Sequence, residues 1–297
     1  MIVVTGPTAT GKTELAVQYA RKHRAEIISA DSRQVYRGMD IGTGKDLSAY
    51  TTGGQQIPFH LIDIADPGEE YNVFRYQQDF LNSYKEIVSR GKNAVLCGGT
   101  GLYIEAVLKG YRLLDVPENK MLRSNLASKT MQELQALLNT YKTPHNITDT
   151  QHRKRLIRAI EIQDYYDRHQ DKAGNFPDIP ATIFAVYFER STLRERITKR
   201  LSKRLEEGMV EEAEHLLHTS VSASALKFYG LEYRYLTAYL EGTIAYDKMF
   251  SGLNTAIHQF AKRQMTWFRR MERQGLHIHW IDGNLPVEEK TAMIEAV

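Results

Sequence analysis

The chain has 297 residues, 42% of them hydrophobic and 25% charged, with a formal net charge of +3. This composition belongs to a soluble globular protein, one large domain or a core with a smaller one, and excludes a disordered or fibrous chain. No apolar run reaches the length of a membrane span and no basic leader with an apolar stretch opens the chain. The single cysteine, Cys97, excludes an internal disulfide, so a cytoplasmic protein without a membrane partner is expected.

In chain order, residues 2–5 read as an apolar strand and residues 14–24 as a helix with Leu15, Ala16, Tyr19 and Ala20 on one face. Residues 26–30 form a second strand, and 59–64 a short strand-like run. Residues 71–90 form a long helix that stops at Gly91, and 94–97 a buried strand followed by Gly98-Gly99-Thr100-Gly101. Strands alternating with helices predict an α/β fold with a parallel sheet, whose ligands bind at the carboxyl ends of the strands. From residue 115 to 180 the chain is polar and helical, with helices expected at 122–128, 131–141 and 153–169 and a loop at 171–180. A strand at 182–188, helices at 193–218, 233–240 and 254–271, and a last strand at 277–281 follow. The expected organisation is a core of residues 1–114 and 181–297 carrying a small helical insertion, 115–180.

The strongest motif is Gly6-Pro7-Thr8-Ala9-Thr10-Gly11-Lys12-Thr13, between the first strand and the first helix. Its spacing is that of a phosphate-cradling loop, in which glycines let the backbone wrap an anion at a helix N-terminus. Lys12 supplies a point charge and the Thr13 hydroxyl can ligate Mg2+. The motif implies a di- or triphosphate without saying which. Asp31, at the tip of the second strand, is a candidate metal carboxylate, general base or simple helix cap. The strand ending at Cys97 leads into Gly-Gly-Thr rather than an Asp, so a component of ordinary phosphoryl-transfer sites is missing.

Basic residues cluster at His152, Arg153, Lys154, Arg155 and Arg158, where like charges at helical spacing repel unless an anion sits there. A polyanion such as RNA and a solvated face are both open readings. A second basic helix carries Arg194, Arg196, Lys199, Arg200, Lys203 and Arg204. The last long helix interleaves Lys262, Arg263, Arg269 and Arg270 with Phe260, Trp267 and Phe268, which suits either single-stranded nucleic acid or a core-facing stripe.

Taken together, the phosphate loop, the run Asp31-Ser32-Arg33-Gln34-Val35-Tyr36-Arg37-Gly38-Met39-Asp40-Ile41-Gly42-Thr43-Gly44-Lys45, Gly98-Gly99-Thr100-Gly101-Leu102-Tyr103, Arg155-Leu156-Ile157-Arg158-Ala159-Ile160-Glu161, Tyr239-Leu240-Glu241-Gly242 and Ala261-Lys262-Arg263-Gln264 with Thr266-Trp267-Phe268 resemble the bacterial tRNA dimethylallyltransferase (isopentenyltransferase) family, in order and over nearly the whole chain. The resemblance implies a P-loop NTPase-like core and transfer of a dimethylallyl group from dimethylallyl diphosphate to N6 of the adenosine 3′ of the anticodon. Residues 6–13 would hold the diphosphate with Mg2+ on Thr13. Asp31 would be the general base, and Lys12, Thr13 and Arg196 would stabilise the leaving group. Asp31, Ser32, Arg33, Gln34, Thr100, Arg123, Lys154, Arg155, Leu156, Ile157, Arg158, Tyr229, Gly230, Leu231, Glu232, Tyr233 and Arg234 would touch tRNA, the insertion clasping the anticodon stem. The chain is expected to act as a monomer. Where the family has Gly-Tyr-Arg this chain has Glu232-Tyr233-Arg234, a departure that puts a carboxylate in that segment. The alternatives are a P-loop small-molecule kinase using ATP and a nucleic-acid-binding NTP switch.

Overall fold

The structure is a computed structural model that describes residues 1–52, 54–141, 152–169, 176–219 and 221–297. The chain forms two compact units, Met1–Lys109 with Asp178–Val297, and Gly110–Pro177.

The larger unit is built on a six-stranded sheet of β1 (Ile2–Thr5), β2 (Glu26–Ser29), β5 (Phe59–His60), β6 (Ala94–Gly98), β7 (Thr182–Tyr187) and β8 (Ile278–Asp282), in the order β5-β2-β6-β1-β7-β8. Every pairing in it is parallel, as the strand–helix alternation predicts. The central strands are continuous apolar runs because both faces are covered: Val3, Ile27, Ile28, Val95, Leu96 and Ala185 are fully buried. Helices α1 (Lys12–His23), α2 (Val73–Ser89) and α3 (Gly101–Leu108) cover the amino-terminal half. The Asn72 side chain caps α2 by accepting the Arg75 N–H at 3.0 Å. Tyr76 of α2 stacks on Tyr103 of α3 at 4.0 Å, and its hydroxyl donates to the Ser29 carbonyl. A small hairpin of β3 (Thr51–Thr52) and β4 (Gln55–Gln56) follows a 3-10 turn, Leu47–Tyr50.

Two expectations change. The strand-like run at 59–64 stops at His60, because Leu61 and Asp63 adopt left-handed φ angles of 62° and 56° that no strand continues through. The single helix expected over 193–218 is two, α7 (Arg190–Glu206) and α8 (Met209–Thr219), divided at Gly208 with φ 99°. Then come α9 (Ala223–Leu226), α10 (Leu231–Leu240), the 28-residue α11 (Tyr246–Arg273) and α12 (Val287–Glu295). Met249, Leu253, Ala256, Ile257, Ala261, Gln264, Phe268 and Met271 are the buried stripe of α11. Phe268 and Met271 face the core, whereas Phe260 is exposed and Trp267 half-buried, so the core-facing stripe holds for only part of the aromatic set, and Lys262, Arg263 and Arg269 are exposed.

The smaller unit packs α4 (Lys120–Ala127) and α5 (Met131–Tyr141) on α6 (Arg153–Arg168). Leu126, Leu134, Leu138, Leu156 and Ile160 form its core. Of the predicted loop at 171–180, residues 171–175 lie outside the described residues.

Candidate functional site

Register brings three loops to one edge of the sheet. Thr5 of β1 lies beside Gly98 of β6, and Ser29 of β2 beside Cys97, so the segments that follow these strands emerge side by side. The Thr100 N–H donates to the Ala30 carbonyl at 3.0 Å, and the Thr100 hydroxyl accepts the Ser32 N–H at the same distance. Gly98 is required here: a Cβ on it would lie 2.2 Å from the Ala30 carbonyl oxygen.

The phosphate loop takes the geometry its glycines permit. Gly6, Ala9 and Gly11 have positive φ angles of 147°, 64° and 79°, and α1 begins directly after Gly11. Gln264 of α11 fastens the loop. Its Oε1 accepts the Thr8 N–H at 2.9 Å and its Nε2 donates to the Gly99 carbonyl at 2.9 Å.

Above these loops lies a cavity of about 160 Å3, lined among others by Thr8, Lys12, Thr13, Asp31, Thr100 and Glu232. Burial draws the Lys12 ammonium below its ordinary range, with Arg200 and Arg204 adding to the effect and Asp31 opposing it. The Asp31 Oδ1 accepts the Arg33 N–H at 2.9 Å, which orients the carboxylate in an Asx turn. Gln34 donates to the Gly44 carbonyl and accepts the Ser29 hydroxyl. Cys97 lies beneath, its thiol pushed up to about 11 by burial.

Of the predicted residues, Ser32, Arg33, Gln34, Gly230 and Leu231 also line this cavity. Arg196 does not. Its Nε donates to the Ala9 carbonyl at 3.0 Å and its guanidinium lies 4.4 Å over the Phe188 ring, so it braces the outside of the loop. Arg200 and Arg204, one and two turns further along α7, line the cavity instead. Arg200 donates to the Thr8 hydroxyl at 3.2 Å and to Asp46 at 2.9 Å.

The proposed RNA segments need correction at several side chains. Tyr233 is 1% exposed and its hydroxyl donates to Glu212 at 2.7 Å. Tyr229 is buried against Tyr36 and its hydroxyl accepts the Gly68 N–H. Neither ring can be presented to a base without unpacking, whereas Arg234 is exposed and lies over Tyr235. The glycine-punctuated loop 40–45 is already satisfied from within: Glu212 accepts the N–H groups of Asp40, Ile41 and Gly42 at 2.8, 2.7 and 2.9 Å. Lys45, fully buried, donates to the Tyr36 carbonyl, Asp40 and Asp63.

Within the smaller unit, two members of the basic run on α6, Arg153 and Arg158, are engaged internally. Arg153 caps α4 by donating to the carbonyls of Leu126, Ala127 and Lys129. Arg123 and Arg158 both pair with Glu161, which is 1% exposed and also accepts the Asn119 N–H at 2.6 Å. Burial opposes the Glu161 charge, but the hydrogen bonds from Arg123, Arg158 and Asn119 outweigh it and hold the carboxyl below its usual range. Leu156 is a core residue and Ile157 packs against that core, so their side chains are withheld from RNA; Lys154 and Arg155 are exposed. The carboxylate of Glu161, rather than a bound anion, relieves the repulsion around Arg158.

Residues 34–271 match the IPP transferase family, and residues 1–61 match the isopentenyl transferase family. A protein of Bacteroides fragilis named tRNA dimethylallyltransferase 2 is 57% identical over 99% of this chain and 96% of its own length. The chain belongs to the IPP transferase family. A crystal structure of a tRNA isopentenylpyrophosphate transferase from Bacillus halodurans superposes with a TM-score of 0.70 at 30% identity, covering 99% of this chain and 94% of that one. A eukaryotic dimethylallyltransferase acting on tRNA, 22% identical with a TM-score of 0.77, shares the fold. For an IPP transferase, a phosphate loop without a second metal carboxylate is intelligible, and the kinase alternative is not favoured.

Proposed function

We propose that this IPP transferase moves the dimethylallyl group of dimethylallyl diphosphate onto N6 of the adenosine 3′ of the anticodon in tRNA. The observation that supports the reading is a single cavity lined both by an anion cup, Lys12 and Thr13, and by the Asp31 carboxylate.

In this mechanism the adenosine leaves its stack to reach the strand tips, where Thr100, Ser32 and Arg33 border the cavity. The N6 lone pair attacks the allylic carbon while the carbon–oxygen bond to the diphosphate breaks and the diphosphate leaves with the bonding electrons. Asp31 accepts the N6 proton, which matters because an exocyclic amine is a weak nucleophile. Lys12, the start of α1 and Arg200 stabilise the charge that grows on the leaving diphosphate.

Among the described residues no cluster of three His, Cys, Asp or Glu side chains could hold a metal. A lone Thr13 hydroxyl at the cavity nonetheless suits Mg2+, which keeps most of its waters and takes substrate phosphate oxygens as ligands. Thr13 would hold the ion, and the ion would neutralise diphosphate charge.

The exposed Lys154, Arg155 and Arg234 would meet tRNA phosphates. No helix among the described residues is long and apolar enough to cross a membrane. A monomer working in the cytoplasm completes the proposal. Incubating the protein with tRNA and dimethylallyl diphosphate and analysing the digested nucleosides by mass tests it. A prenylated adenosine next to the anticodon is the expected product, and unmodified tRNA under conditions where both substrates bind would overturn the reading.

A further inference from the structure

Arg204 sits on α7 one turn beyond Arg200 and lines the same cavity as Lys12 and Asp31. It is 9% exposed, and its Nη2 is buried with no hydrogen-bond partner. The closest acid that pairs with it, Asp46, stands 3.8 Å away and is shared with Arg200, which holds the same oxygen at 2.9 Å. Gly44, with φ 68°, makes the room: a Cβ there would lie 1.7 Å from Nη2. A second, small cavity of about 20 Å3 joins Arg204 to Thr8 and Ala9 of the phosphate loop and to Glu232 of α10. Burial and the neighbouring Arg200 pull the Arg204 guanidinium down to about 10, while Asp46 and Glu232 oppose that fall. Burial raises Glu232, against the pull of Arg204 and Arg33 and with Asp31 adding to the rise.

An unpaired guanidinium N–H in such a place is costly, and two adjacent guanidiniums repel unless an anion joins them. Lys12, Arg33, Arg200 and Arg204 line the cavity against Asp31 and Glu232, with Asp46 beside the last two arginines, so the formal charges there sum to a net positive one that an anion would neutralise. We propose that Arg204 is a further donor-binding residue that grips the diphosphate in the phosphate-loop cup, and that Glu232, which lines the same two cavities without an ion pair to Arg204, is a negative charge against which the diphosphate binds. This rests on the diphosphate reading of the cup given above. Glu232 lies in the segment 229–234 assigned to RNA, so the pair ties the donor side of the cavity to the acceptor side. No bond is made or broken by either residue; both act through charge and hydrogen bonding to the diphosphate.

The test is calorimetric titration of the full chain with inorganic pyrophosphate. Arg204→Gln should weaken pyrophosphate binding about tenfold or more, as expected for loss of a charge-assisted hydrogen bond, and Arg204→Lys should recover part of it. Glu232→Gln should move the other way, tightening binding about threefold, because it removes a competing negative charge from the cup. Structural damage does not tighten a ligand, so that sign separates the proposal from mere loss of packing. Unchanged pyrophosphate affinity in a folded Arg204→Gln protein overturns the inference, as does weaker or unchanged binding in Glu232→Gln. If Arg204→Gln does not fold, the sign of the Glu232→Gln change decides alone. Lys12→Ala is the control: if it also leaves pyrophosphate binding intact, the diphosphate reading of the cup itself fails, whereas loss of binding with Lys12→Ala alone overturns only the part given to Arg204.

Discussion

The Oε1 of Gln264 accepts the N–H of Thr8 at 2.9 Å, across 256 positions of chain. The same amide donates to the Gly99 carbonyl, so one buried side chain near the end of the sequence fixes two loops of the site to each other. Gln264→Ala would leave a loop N–H and a buried carbonyl without partners. The expected cost is about 2 kcal/mol of stability, measured by urea denaturation, together with a higher KM for the prenyl donor. A variant as stable as the parent, with an unchanged KM, would show that the loop holds its own shape.

Asp31→Asn keeps an oxygen that can accept the Arg33 N–H, so the turn should survive while the base is lost. Single-turnover prenyl transfer should slow by about two orders of magnitude or more, with both substrates still binding. A rate near that of the parent would remove Asp31 from the proton transfer.

Glu161 makes a pH-dependent contribution whose sign follows from its environment. Its folded carboxyl titrates below the usual value of 4.5, held there by Arg123, Arg158 and the Asn119 N–H against the effect of burial. The stabilisation is therefore fully present above that value and is lost as the pH falls through the lower folded one. Glu161→Gln should be clearly less stable than the parent at neutral pH, and the gap should narrow in acid. Denaturation curves of both proteins across that range check it; a constant gap would mean that the carboxyl's charge does not matter.

Lys154 and Arg155 are exposed, whereas Arg158 is engaged with Glu161 and the Val116 carbonyl. Replacing Lys154 or Arg155 with Ala should lower the salt dependence of tRNA binding by about one unit each. Arg158→Ala should instead lower the stability of the helical unit. Binding isotherms at several salt concentrations distinguish the two, and a larger slope change for Arg158 would reverse the assignment.

The parts of the site that local sequence specifies were legible. Gly6 to Thr13 dictates its own backbone and Asp31 follows an apolar run, whereas Gly98 shows in the sequence only as part of a Gly-Gly-Thr turn and the distant Ala30 carbonyl that demands it does not. What sequence does not specify is helical phase against distant partners. Arg196, Arg200 and Arg204 repeat every four residues on α7, so spacing alone gives no reason to prefer one, yet the structure puts the first behind the loop and the other two in the cavity. Glu212 satisfies loop 40–42 from some 170 positions away, which hides the pairing from any local pattern. On α6 the apolar period does mark Leu156 as core, but a motif copied as a block carries that residue along with its exposed neighbours.

Cys97 lies under the phosphate loop with its thiol raised to about 11. At physiological pH it is almost entirely the neutral thiol, the form that neither oxidants nor alkylating reagents attack readily. The native fold therefore offers labelling chemistry a quiet background, against which a cysteine introduced at Lys154 or Arg234 would report alone.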